Sequence, residues 1–120
     1  MITSEHMQKA LECIEESQLI LETPMLRNVG AFFNFSENIE LNLKLENMQT
    51  NGSFKLRGVI NQFDKKLKNL SQNELKLVTF SAGNYGKAFS FLCNKKKIKG
   101  KVLLPKSAAP SRIQYIHVIY

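Results

Sequence analysis

The stretch Ile39-Glu40-Leu41-Asn42-Leu43-Lys44-Leu45-Glu46, then Gln49-Thr50-Asn51-Gly52, then Ser53-Phe54-Lys55-Leu56-Arg57-Gly58 decides how this 120-residue chain folds. Its first eight residues alternate apolar and polar side chains, the period-two pattern of a half-buried strand. The next four are turn chemistry. Asn-Gly often closes a tight hairpin, but here it is followed by Leu56, Val59, Ile60, Phe63 and Leu67 at helical spacing. The turn therefore leads into a helix ending near Asn69, with Ser53 as its expected N-cap.

Working outward, strand and helix keep alternating. Residues 71–74 read as a loop and residues 75–80 as a short apolar strand. Ser81-Ala82-Gly83-Asn84-Tyr85-Gly86 is a glycine-containing turn into a second helix, whose core face is Ala88, Phe89, Leu92 and Cys93. Residues 101–104 form another strand, residues 105–110 a loop, and Ser111 is the expected cap of a last segment, 112–120. On the N-terminal side, Met7, Ala10, Leu11 and Ile14 predict a helix over about residues 5–17, capped by Thr3 or Ser4. Thr23-Pro24 marks extended chain, since a residue before proline avoids the helical region. A short helix is expected around residues 28–35. Strands separated by helices imply an α/β fold with a parallel sheet. The chain stops soon after a strand that such a sheet should extend. We therefore expect a truncated chain with an open sheet edge, exposed apolar faces and marginal stability.

The apolar fraction is 43% and the charged fraction 22%, ordinary for one globular domain or part of one. The net charge of +7 comes largely from two lysine blocks, Lys65, Lys66 and Lys68, and Lys95, Lys96, Lys97, Lys99 and Lys101. Neither block is interleaved with base-stacking aromatic residues, so we expect solvated faces and no nucleic-acid partner. No apolar run nears the ~20 residues of a membrane span. The N-terminus lacks the apolar core of a secretory signal, which points to the cytoplasm. Cys13 and Cys93 lack CxxC spacing and read as reduced, buried hydrophobes. His6 and His117 are isolated, so no metal site is expected.

Two segments carry chemistry. Lys55 stands in the first turn of a helix, where the positive end of the helix dipole disfavours a cation. An amine that gives up its proton there is a nucleophile or a base. The residues 81–86 offer glycines for close backbone approach and successive amides at a helix N-terminus, a combination that holds a carboxylate or phosphate. Each alone also fits a bland reading, an exposed lysine and a capped turn.

Together, Lys44-Leu45-Glu46-Asn47, Gly52-Ser53-Phe54-Lys55-Leu56-Arg57-Gly58 and Ser81-Ala82-Gly83-Asn84 resemble the N-terminal portion of fold-type-II pyridoxal-phosphate enzymes. The nearest group is that of the serine/threonine dehydratases (ammonia-lyases) and serine racemases. Thr23-Pro24-Met25 and Val102-Leu103-Leu104-Pro105 are similar to further segments of that family. The resemblance implies the tryptophan-synthase-beta-like fold. Residues 1–80 would then belong to the large cofactor-binding domain and residues 81–120 to the start of a smaller one. It implies pyridoxal 5'-phosphate as cofactor, a small amino-acid substrate and a homodimer for the full-length protein. Lys55 would be the Schiff-base lysine and general base, Phe54 would pack on the pyridine ring, and Asn84 would bond the ring oxygen. Ser81, Ala82, Gly83 and Asn84 would receive the substrate carboxylate.

Racemase-like members carry a second serine, acting as acid and base, where this chain has Ala82. A methyl group moves no proton, so the resemblance points to an L-serine/L-threonine ammonia-lyase giving a 2-oxo acid and ammonia. The alternatives are an inactive truncated member or interaction module and, further off, a serine racemase. Tyr85 replaces the histidine of many members. The six glycines include no adjacent pair, so the family's glycine-rich phosphate loop is not among these residues.

Overall fold

A computed structural model describes residues 1–68 and 76–118. Its chain order is α1 (Ser4–Glu16), β1 (Met25–Leu26), a 3-10 turn (Val29–Phe33), β2 (Leu43–Lys44), a second 3-10 turn (Glu46–Met48), α2 (Lys55–Leu67), β3 (Lys76–Phe80), α3 (Asn84–Lys95), β4 (Lys99–Leu103) and α4 (Pro110–Val118). β3 and β4 pair in parallel from Lys76↔Lys99 to Phe80↔Leu103, with α3 as the crossover between them. This is the α/β parallel arrangement that the strand and helix periods imply. β1 and β2 make a separate two-residue antiparallel ladder, Met25↔Lys44 and Leu26↔Leu43.

The core lies between α2 and α3. Leu56, Val59, Ile60 and Phe63 project from one helix, and Ala88, Phe89, Leu92 and Cys93 from the other. Ile98 closes it, and Leu77 and Val102 come up from the inner face of the sheet. Both helical stripes are the ones the 3.6-residue period picks out. Strands β3 and β4 alternate exposed and half-buried positions, so Lys76, Val78, Phe80, Lys99, Lys101 and Leu103 all face away from the helices. Among the described residues, no helix is long and apolar enough to cross a membrane.

Several local expectations are corrected. Residues 39–46 do not form one strand, and only Leu43–Lys44 joins a ladder. The alternation is real from Leu41 onward, but β1 offers only two residues to pair with. The rest makes single backbone bonds, from Val29 N to Leu41 O at 2.9 Å and from Leu45 N to Pro24 O at 2.9 Å. Ser53 does not cap α2. Phe54 holds the cap position with helical dihedrals and gives no side-chain bond, while the buried Ser53 hydroxyl has no partner among the described residues. Ser111 does not start α4, because the helix begins at Pro110, whose fixed φ and missing N–H suit the first position. The amides of Arg112 and Ile113 donate to Ala109 instead.

α1 is capped by Thr3, whose hydroxyl accepts from the His6 amide. Only Cys13 and Ile14 of that helix reach the core, whereas Met7 and Leu11 stay exposed. The expected loop 71–74, and the ends of the expected elements at Asn69, Leu75, Ile119 and Tyr120, lie outside the described residues.

Leu92 is fully buried at the centre of the α2–α3 interface. Leu92→Ala should cost about 3 kcal/mol through lost transfer energy and the cavity left behind. Urea unfolding followed by circular dichroism would read it as a lower midpoint.

Candidate active site

The lysine segment is built at the start of α2. Lys55 is the first residue of that helix and is exposed. Its Nζ lies 4.7 Å from the centroid of the Phe54 ring, within cation–π range. Phe54 is itself 56% exposed, and several other phenylalanines of this chain are exposed too. Gly52 adopts φ +80, which permits the turn that delivers the chain into α2, and its amide donates to Gln49 O at 2.6 Å.

The second segment follows the carboxyl end of β3. In open α/β sheets, ligands bind outside the carboxyl ends of the strands. The Ser81 amide donates to Leu103 O, at the end of β4, at 3.2 Å. The Ser81 hydroxyl accepts from the Gly83 amide at 3.2 Å and from the Gly86 amide at 3.1 Å. That single oxygen ties the turn to the first turn of α3. Gly86 is required for it, because a Cβ there would sit 2.5 Å from the Ser81 carbonyl oxygen. Ala82 and Gly83 are half-buried in the turn, and Gly83 holds the cap position of α3 without a side-chain bond. Asn84 is exposed, and its Oδ1 lies 3.4 Å from Nη1 of Arg112 on α4.

Among the described residues, no hydrogen bond joins Lys55 to Ser81, Ala82, Gly83 or Asn84. The two segments are linked through α2. The Tyr85 hydroxyl donates to Gln62 Oε1 at 2.6 Å. Seven residues of helix separate Gln62 from Lys55, about 10 Å along the axis. Phe54, Gly58, Arg57, Glu46, Ile20 and Leu11 also help line an open cleft of about 960 Å³ beside the lysine segment.

A charged network behind Lys55 has no counterpart in the period-based reading. Arg57 donates from Nε to Glu46 Oε2 and from Nη2 to Glu46 Oε1, both at 2.9 Å. The Thr23 hydroxyl adds a bond to Glu46 Oε1 at 2.6 Å, and Lys44 Nζ donates to the Thr23 carbonyl. The Arg57 hydrogen bonds and then that of Thr23 hold the Glu46 carboxyl at about 2, below its ordinary 4.5, against the opposite pull of burial. Gln49 does similar work nearby, donating to Leu21 O at 2.9 Å and accepting from Leu21 N at 2.7 Å. The Lys44-Leu45-Glu46-Asn47 segment entered the family resemblance, but period two assigns Glu46 to a solvent face. Its inward turn comes from the 3-10 turn that starts there.

Both cysteines are free. Burial pushes the Cys93 thiol up to about 11, and burial followed by Asp64 raises that of Cys13. Neither is an activated nucleophile.

A lysine opening one helix and a serine-glycine turn opening the next, the latter within the parallel β3–α3–β4 unit, are the features to set beside known proteins. The chain belongs to the family of pyridoxal-phosphate dependent enzymes, whose profile matches residues 16–118. It is 43% identical over 83 residues to the catabolic L-threonine dehydratase of Escherichia coli (strain K12), covering 66% of this chain and 24% of that protein. It is 33% identical over 117 residues to the serine racemase of Dictyostelium discoideum, covering 96% of this chain and 34% of that one. The crystal structure of serine racemase from Dictyostelium discoideum superposes with a TM-score of 0.77 at 31% identity, over 98% of this chain and 37% of that chain. A pyridoxal 5'-phosphate-dependent aspartate racemase gives 0.78 at 27% identity, over 98% and 36%. The fold is thus part of the tryptophan-synthase-beta-like architecture. The chain spans between about a quarter and just over a third of the length of these proteins.

Two outcomes follow from this geometry. The Glu46 carboxyl is depressed in the folded state, so its stabilisation is complete above about pH 4.5 and is lost as pH falls toward about 2. Glu46→Gln should flatten that part of the stability–pH curve and cost on the order of 2 kcal/mol at neutral pH, read by urea titration at several pH values. Gly86→Ala should lower the melting temperature, at a cost of about 1–3 kcal/mol, because backbone rather than a movable side chain blocks the added methyl.

Proposed function

We propose that this chain is part of a pyridoxal-phosphate-dependent L-serine/L-threonine ammonia-lyase, with Lys55 as the cofactor-bearing amine and general base. The observation that carries it is the Lys55 amine held 4.7 Å over the exposed ring of Phe54 at the N-terminus of α2. The residues fit the cofactor in kind. Lys55 offers an amine to an aldehyde, and Phe54 a flat face to a pyridine ring. The buried side chains of Asn51 and Ser53, just before them, carry polar atoms that have no partner among the described residues.

When bound, pyridoxal phosphate supplies an electron sink for chemistry at the α-carbon of an amino acid. Lys55 would hold the cofactor through its amine and would accept a proton at Nζ when that amine is free. Ser81, Ala82, Gly83 and Asn84 would receive the substrate carboxylate at the N-terminus of α3, where the dipole favours an anion. Asn84 would also offer its amide to the cofactor ring. Loss of the α-proton and β-hydroxyl, then hydrolysis, leaves a 2-oxo acid and ammonia. Ala82 supports elimination over racemisation, since its methyl cannot exchange a proton with the opposite face of the α-carbon.

The rest of this reading concerns the protein as a whole. Residues 1–80 would serve the large cofactor domain and residues 81–120 begin a smaller one, with β3 and β4 pairing across that division. A homodimer in the cytoplasm completes it. A different reading, an inactive member serving as an interaction module, draws on the apolar side chains of Val78, Phe80 and Leu103 on the outer sheet face.

Incubation with pyridoxal phosphate, borohydride reduction and peptide mapping tests the proposal. Stoichiometric label on Lys55, abolished in Lys55→Ala, is the expected result. Sparse label scattered over Lys95, Lys96 and Lys97 would defeat the enzyme reading for this chain.

A further inference from the structure

α2 begins without a side-chain cap, held locally by the Arg57 amide donating to Phe54 O at 3.2 Å. Its cap residue, Phe54, makes no side-chain bond, and the Ser53 hydroxyl has no partner among the described residues. Its first turn contains no acidic residue. It contains two cations instead, Lys55 and Arg57, at the end of the helix where the dipole opposes positive charge. Such a turn should fray, and the amine of Lys55 would wander with it. In the structure it does not stand alone. Glu46, eleven residues upstream, brings a carboxylate to this end of the helix and grips both arms of the Arg57 fork at 2.9 Å. The pair is only 28% and 18% exposed, so solvent screens it less than an open surface bridge. Glu46 is itself fixed from the other side by the Thr23 hydroxyl, and the neighbouring Leu45 amide by Pro24 O.

We propose that Glu46 is a positioning residue for Lys55, acting through Arg57: it supplies the acid that the first turn of α2 lacks. The value of this clamp to the reaction rests on Lys55 being the cofactor-bearing amine. The clamp itself is measurable without cofactor.

The test uses the whole chain and two variants, Glu46→Gln and Arg57→Lys. The latter keeps the charge but loses the planar fork. Nuclear magnetic resonance supplies two readouts. One is hydrogen exchange at Gly58, Val59 and Ile60, whose amides close the first turn of α2, against Leu92 and Cys93 inside α3. The other is the ring-current shift of the Lys55 ε-methylene beside Phe54. Lys87, whose Nζ lies 3.8 Å from the Tyr115 ring centroid, is the internal control.

In Glu46→Gln, exchange at the three α2 amides should rise about tenfold while Leu92 and Cys93 change little. The Lys55 methylene should move to the free-lysine position while Lys87 keeps its shift. Arg57→Lys should give a smaller change at the same places, and it carries the test if Glu46→Gln does not fold. Unchanged exchange and an unchanged Lys55 shift would overturn the proposal. Equal acceleration in α2 and α3 would also overturn it, since Glu46 would then be a residue of general stability. Local loosening in a chain whose Lys55 takes no borohydride label would sink the cofactor reading and leave the clamp standing.

Discussion

Both proposed site segments of this chain hang on the face where α2 meets α3. Leu56, Ala88 and Leu92 are fully buried there, and Phe63 meets Phe89 edge-on with ring centroids 5.6 Å apart. Lys55 opens one of these helices and Asn84 opens the other. Their separation is therefore set by side chains packed several turns away, not by any bond between them. A close-packed core transmits small shifts rather than absorbing them. Repacking at Val59 or Leu92 would re-aim both helix starts, even though neither residue comes near a reacting atom.

The two helix starts are held in different ways. Each exposes amides that its own helix cannot satisfy. At α3 the answer is local: the Ser81 hydroxyl reaches the amides of Gly83 and Gly86, and the absence of a side chain at Gly86 makes the approach possible. At α2 no side-chain cap forms, and the start is instead tied through the Arg57 guanidinium to a carboxylate from another part of the chain. The first arrangement survives wherever its six residues survive. The second needs β1, β2 and the 3-10 turn at Glu46 to be folded as well, so the lysine segment is coupled to the N-terminal third of the protein.

That difference also governs what the sequence reveals. The stripes Leu56-Val59-Ile60-Phe63 and Ala88-Phe89-Leu92-Cys93 are legible because a helix against a core must repeat its apolar side chains at 3.6 residues. β3 is legible as a short apolar run beside a helix, whereas the strand expected at 101–104 begins two residues earlier, at Lys99, where Lys99, Gly100 and Lys101 carry no apolar signal. The length of the strand at residues 39–46 is not legible, because alternation reports which face is buried and says nothing about how many partner residues exist. Ser53 has the right chemistry for a cap, but the cap position falls one residue later, on Phe54. The motif segments around Lys55 and Asn84 are visible through family resemblance. The Gln62–Tyr85 and Glu46–Arg57 bonds are not, since a contact across 23 or 11 residues leaves no periodic trace.

The outer face of the β3–β4 sheet grades along its length. Lys76 stands opposite Lys99, Val78 opposite Lys101, and Phe80 opposite Leu103. Like charges on one rung weaken a ladder slightly, so the first pair costs the sheet something. What that rung gives in return is gatekeeping. An uncovered sheet invites another strand or sheet to stack on it, and inward or paired lysines are a common deterrent. Here the deterrent guards one end only. Unwanted association of newly made chains should therefore nucleate at the Phe80–Leu103 end and spread with difficulty toward Lys76. Salt, which weakens the lysines' mutual repulsion, would ease that spread.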